Sequence, residues 1–131
     1  MSVLMELHKI IINEMQETQI IVLREVKGTR QFPIVIVTDL AAAIKRRLDG
    51  FRHPRPLTHD LLSNVIDQLG GKIEQIKITD LHDGTYFARI VVRQGEKVLD
   101  IDSRPSDAIA LGIASNVPIY VEEHVLDAAC G

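Results

Sequence analysis

Apolar residues first fall in short β-branched runs: LMELHKIII (4–12), QIIVLREV (19–26) and QFPIVIV (31–37), separated by the polar breaks NEMQET and KGT. Runs of this length and content predict three strands joined by short turns. The pattern changes at TDLAAAIKRRLDG (38–50), a helix with Thr38 or Asp39 as N-cap and Gly50 as its stop. Pro54 and Pro56 make 52–57 an extended connector. From Thr58, read as a cap, Leu61, Leu62, Val65, Ile66 and Leu69 share one helical face, and Gly70 ends that helix.

The second half reads as a meander. KIEQIKITD (72–80) meets TYFARIVVR (85–93) through Asp83-Gly84, a hairpin signal, and EKVLDID (96–102) follows. A loop at Gln94-Gly95 pairs Arg93 with Glu96, Val91 with Val98, Arg89 with Asp100 and Phe87 with Asp102. That register gathers Ala88, Ile90, Leu99 and Ile101 on an apolar face, and a one-residue slip would mix the faces. Pro105 at the first helical position and Asp107 in the first turn start a helix whose residues Ala108 to Ala114 leave no polar stripe. Such a helix is buried. Gly112 inside it costs about 1 kcal/mol relative to Ala and implies a close neighbour. PIYV (118–121) predicts a short strand and EEHVLDAA (122–129) a short last helix. Strands and helices without regular alternation predict an α+β fold, a mainly antiparallel twisted sheet with packed helices in a single domain over 1–131.

Composition narrows the class. With 131 residues, 46% hydrophobic and 25% charged, the chain can build a real core, and with no Trp that core is aliphatic. A single cysteine, Cys130, permits no internal disulfide and fits a reducing compartment. The start MSVLMELHK lacks the pattern of a signal peptide, and no run approaches the ~18 apolar residues of a membrane span. The expectation is a soluble, cytoplasmic protein with no membrane partner.

Charge is uneven. Lys45, Arg46, Arg47, Arg52 and Arg55 stand against Asp49 alone, a local +4 in a chain of net −3, so the remainder carries −7. A basic block on an acidic body suits a localised phosphate-binding face, although bases near a helix C-terminus also complement its dipole without any ligand.

Three stretches then stand out in order: PRPLTHDLL (54–62), DLHDGTYFARI (80–90) and DSRPSDAIALG (102–112), closed by PIYVEEHVLD. Together they resemble the bifunctional nuclease family over roughly Leu4 to Asp127. The resemblance implies an α+β domain, a homodimer, and nuclease activity on both RNA and DNA. It supplies no catalytic residue set. One departure lies at the turn from the third strand into the first helix, where the family pattern has Gly and then Glu and this chain has Val37 and Leu40.

Phosphodiester hydrolysis needs a nucleophilic water, charge neutralisation at phosphorus and a proton for the leaving group. Asp102, Asp107 and Asp80 are the candidate ligands for Mg²⁺ or Mn²⁺, with Asp102 and Asp107 also catalytic and His59 as the acid–base group. Arg52, Arg55 and Arg104 are the candidate phosphate contacts. Each has a plainer reading. Asp107 is a good first-turn charge, Asp83 a turn former, and Asp100 a cross-strand partner for Arg89; Asp102, facing Phe87, has no such alternative. Zinc-finger, zincin, P-loop and GxGxxG patterns are absent, and few aromatics are present for stacking. The leading expectation is a metal-assisted nuclease of low sequence specificity. The alternative is a non-catalytic dimeric module that binds a protein or a small anionic ligand.

Overall fold

The structure, a computed structural model, describes residues 1–13, 15–51 and 54–130. Its elements are β1 (Ser2–Ile11), β2 (Thr18–Glu25), β3 (Gln31–Val37), α1 (Thr38–Leu48), α2 (Thr58–Gln68), β4 (Lys72–His82), β5 (Thr85–Gln94), β6 (Lys97–Ser103), α3 (Pro105–Ser115), β7 (Ile119–Glu122) and α4 (Glu123–Cys130). Seven strands form one sheet in the order β3-β2-β1-β7-β4-β5-β6. Every neighbouring pair is antiparallel except β4 with β7. The class is α+β, as the pattern predicts.

Alternation decides which strand residues enter the core. On β3, Phe32, Ile34 and Ile36 are buried while Pro33, Val35 and Val37 face outward. The sheet curls so far that the rings of Phe32 on β3 and Tyr86 on β5 lie 5.5 Å apart, although four strands separate them in the sheet. Helix α3 fills the hollow against β3, β4 and β5, with Ala108 to Gly112 buried. Its middle glycine permits the fit: a Cβ on Gly112 would stand 2.7 Å from Cγ1 of Ile76.

The second helix forms as predicted but does not bury the face expected of it. Leu61, Leu62, Val65 and Leu69 are 43–70% exposed. Apolar on every side, α3 already occupies the core, so α2 rides on α3 and touches the core mainly through Ile66. Helix starts also differ by a residue. Val37 and Leu57 are the N-caps, and neither can accept through its side chain. The Thr38 hydroxyl is taken by the carbonyl of Glu17 at 2.7 Å, part of a cluster around the buried Gln19 amide. Before α2, Asp60 Oδ2 accepts from the Leu57 N–H at 3.0 Å, which ties down the entry without Thr58.

The hairpin register requires a correction. Arg89 pairs with Asp102, not Asp100, and Asp100 stands opposite Val91. The loop is Gly95-Glu96 rather than Gln94-Gly95, because Gly95 has φ +62° and Glu96 does not have a positive φ. A two-residue turn with positive φ at its first central position alone is type II′, and that position selects glycine. The displacement is by two residues along β6, so the sorting of faces survives: Ile90 opposes Ile101 instead of Leu99, on the same face. At the other hairpin, Asp83 and Gly84 both have positive φ, the type I′ turn that the Asp-Gly pair predicts.

Candidate functional site

The start of α3 is where sequence and packing converge on polar groups. β6 ends at Ser103, Arg104 is the N-cap, and Pro105 takes the first helical position, where its missing N–H costs nothing. The Ala108 N–H donates to the Arg104 carbonyl at 3.1 Å. The N–H groups of Ser106 and Asp107 precede it and have no intrahelical acceptor, as at any helix start. Arg104 Nε donates to Asp107 Oδ2 at 2.8 Å. That hydrogen bond, with the charge attraction behind it, raises the guanidinium pKa further above its ordinary value. Arg104 is therefore a permanent cation, held by the first turn and still largely exposed.

A cavity of about 570 Å³ opens over this turn, lined among others by His59 and Leu62 from α2, Leu40 from α1, and Ser103, Arg104 and Asp107. It brings together His59, Arg104 and Asp107, three of the sequence candidates, from segments some fifty residues apart. The His59 side chain is 17% exposed, and its Nε2 lies 3.6 Å from Asp60 Oδ1. That is too long for a hydrogen bond, so Asp60 does not orient the ring as an acceptor.

The other candidates are placed differently. Asp102 also borders the cavity, but its carboxylate is 3.7 Å from Arg89 on the neighbouring strand. The cross-strand partnership expected of Asp100 thus belongs to Asp102. Asp80 Oδ1 accepts from the Leu81 N–H at 2.8 Å and lies 3.7 Å from His124 of α4. Asp102, Asp107 and Asp80 are each attended by a separate basic side chain. Among the described residues no three His, Cys, Asp or Glu gather as a metal site. Arg55 is exposed with no partner among the described residues, and Arg52 lies outside the described residues.

Sequence reasoning missed one feature of the site. His59, Asp60, Ser63 and Asn64 fall at i, i+1, i+4 and i+5 and make a polar stripe along α2. The stripe lines a second cavity of about 320 Å³ together with Arg47 of α1. The spacing is present in THDLLSNVIDQ, interleaved with the apolar period of the same helix.

The family model described as the bifunctional nuclease domain matches residues 21–130. An uncharacterized protein of Mycobacterium tuberculosis (strain H37Rv) is 41% identical over 115 residues, covering 88% of this chain and 68% of that protein. Bifunctional nuclease 2 of Arabidopsis thaliana is 26% identical over 109 residues, covering 80% of this chain and 33% of its own length. Bifunctional nuclease 1 of Oryza sativa subsp. japonica is 24% identical over 96 residues, covering 71% and 29%. The chain spans about a third of the plant proteins' length.

Proposed function

The chain belongs to the bifunctional nuclease domain family, and from that premise we propose that it is a nuclease hydrolysing phosphodiester bonds of RNA and DNA with little sequence preference. The observation that carries the reading is the single cavity shared by His59, Arg104, Asp107 and the first turn of α3. A phosphate placed there meets the Ser106 and Asp107 N–H groups, the positive end of an eleven-residue helix and the Arg104 guanidinium. Asp107 holds that guanidinium in place.

In the reaction, a water oxygen bonds to phosphorus, the bond from phosphorus to the leaving oxygen breaks, and one proton passes from the water to the leaving oxygen. His59 is the group in the cavity suited to relay that proton. The helix N–H groups and Arg104 stabilise charge on the non-bridging oxygens as it builds. Contacts of this kind read phosphate and not base identity, which accounts for low specificity. Arg46 and Arg55 are exposed, have no partner among the described residues, and extend the positive field around α1 and the connector. No step here passes through a metal. A homodimer and a cytoplasmic setting belong to the same proposal. The first draws support from β6, an edge strand whose Val98, Leu99 and Ile101 are 39–52% exposed, since long apolar edges are usually covered. For the second, no helix among the described residues is long and apolar enough to cross a membrane.

The test is cleavage of labelled RNA and DNA by the purified protein with Mg²⁺, Mn²⁺ or EDTA. His59→Ala should lower the rate by about 10²- to 10⁴-fold while the protein stays folded. Wild-type protein that cleaves nothing under any condition, or a His59→Ala variant as active as wild type, would refute the reading. The EDTA arm decides whether a divalent ion takes part.

A further inference from the structure

We propose that the free edge of β3 takes up one extended peptide segment of a partner protein. That segment is uncharged and β-branched where it runs beside Val35 and Val37, and it carries an acidic side chain that meets Arg104. The inference does not rest on the nuclease reading, and its test uses no nucleic acid.

β3 is an outer strand of the sheet, paired with β2 on one side. In an antiparallel pair, opposed residues exchange both backbone hydrogen bonds at every second position, and the residues between turn theirs away. Two bonds just beyond the strand ends fix which set is which. The Thr38 N–H donates to the Glu17 carbonyl at 3.2 Å, and the Glu25 N–H to the Arg30 carbonyl at 3.0 Å. The unbroken register then gives Phe32, Ile34 and Ile36 to β2, and Gln31, Pro33, Val35 and Val37 direct their backbone groups to the free edge. The Gln31 carbonyl agrees: it accepts from the Cys130 thiol of α4 at 3.3 Å. Proteins usually blunt such edges. Here α4 covers Gln31, and Pro33 has no N–H to offer. The Pro33 carbonyl, both backbone groups of Val35 and the Val37 N–H have no partner among the described residues. Val35 and Val37 are also 63% and 52% exposed.

What faces this edge decides the occupant. A cleft of about 400 Å³ runs along residues 33–37, lined across from them by the start of β5 (Gly84 to Tyr86) and the turn into α3 (Arg104 to Ser106). Walled on both sides, it admits one chain, whereas β3 of a second copy would bring its own β2 with it. A single strand laid there extends the sheet through the open Val35 and Val37 groups, and its outward side chains lie beside Pro33, Val35 and Val37, a row that β-branched residues cover. Arg104 is the one charged side chain among the described residues of the lining. Its Nε is held by Asp107, and its terminal nitrogens have no partner among the described residues. An acidic side chain on the incoming segment supplies one. A nucleotide chain lacks the alternating backbone donors and acceptors that would pair with the edge.

The probe is the acetylated and amidated peptide Asp-Thr-Val-Thr-Val-Thr-Asp, acidic at both ends so that either strand direction brings a carboxylate to Arg104. It is titrated into the ¹⁵N-labelled protein and followed by amide chemical shifts and hydrogen exchange. The Val35 and Val37 amides should shift together and, at saturating peptide, exchange about tenfold or more slowly, because both pass from water to a peptide carbonyl. Two methylated peptides test the pairing itself, one N-methylated at both valines and one at all three threonines. Only alternate N–H groups face β3, so one of the two should bind about tenfold or more weakly than the parent and the other should bind like it. Lysine in place of both aspartates should weaken binding about threefold or more. Val35→Pro removes the edge N–H without touching the β2 ladder and should abolish binding, with the melting temperature reporting that the variant folds. If it does not fold, the methylated pair decides on the wild-type protein. No shift at Val35 and Val37 at millimolar peptide, equal affinity of the two methylated peptides, an unchanged affinity with lysine, or binding that survives Val35→Pro overturns the proposal. So do Val35 shifts that grow with protein concentration in the absence of peptide, which would give the edge to a second copy.

Discussion

Replacing Gly112 with alanine tests how α3 is seated, and with it the position of the Arg104–Asp107 turn. In an exposed helix the change would stabilise by about 1 kcal/mol. Here the new Cβ would stand 2.7 Å from Cγ1 of Ile76, where ordinary contact begins at 3.4 Å. Ile76 is fully buried on β4, between β7 and β5, and has little room to withdraw. Overpacking of this kind costs roughly 1–3 kcal/mol. The net effect in the wild-type background is therefore neutral to destabilising, by about 0–2 kcal/mol, the difference of the two terms. Ile76→Ala by itself should cost about 2–5 kcal/mol through the lost side chain and its cavity. In that background the obstructing Cγ1 is gone, so Gly112→Ala should recover its stabilising sign. Urea unfolding of the wild type, both single variants and the double variant closes the cycle and should show a coupling of about 1–3 kcal/mol. A Gly112→Ala effect of the same sign and size in both backgrounds would refute the reasoning. Cleavage offers a second readout, because a displaced α3 shifts Arg104 and Asp107 relative to His59.

Two further expectations concern the acid limb and the β5–β6 turn. Hydrogen bonds from the Arg30 side chain and backbone hold the Glu25 carboxyl below its ordinary pKa. A depressed folded value stabilises above the unfolded pKa, and that stabilisation is lost as pH falls through the folded one. Glu25→Gln should thus lower the melting temperature at neutral pH, with the gap to wild type closing towards about pH 3, and a gap independent of pH would contradict the assignment. Gly95→Ala places a Cβ at φ +62° and should cost about 1–2 kcal/mol, with Gly95→Asn costing less; equal melting temperatures for all three would rule out the II′ turn.

Most of the fold is written locally. Period-two alternation marks Phe32, Ile34 and Ile36, the Asp83-Gly84 pair marks its turn, and an unbroken apolar run marks α3 as the central helix. What the chain does not announce is competition for the core. The leucines of α2 have a sound helical period, but period does not reveal that α3 already fills the hollow. The β5–β6 register shows a similar limit: two loops one residue apart sort the faces equally well, and the φ of Gly95 decides between them. At the site, His59, Arg104 and Asp107 were legible as chemistry, and their convergence on one cavity needed the sheet's curl and the placing of α2. Asp102 has no partner in the expected register, which gives Arg89 to Asp100; the two-residue shift gives Arg89 to Asp102 instead.

The place of β7 governs the order in which this sheet can be completed. β1 to β3 and β4 to β6 are two meanders of consecutive antiparallel strands, each able to zip along short loops. Among the described residues, no strand of one pairs with a strand of the other. They join only when Ile119–Glu122 inserts, antiparallel to Ser2–Met5 and parallel to Ile76–Ile78. The contacts with β1 span most of the chain, the class of loop closure that slows folding most. As the polypeptide emerges in synthesis, the facing edges of β1 and β4 must wait, both exposed, for a four-residue strand that follows α3. That interval is the one in which a nascent chain of this topology is most open to pairing with the wrong edge.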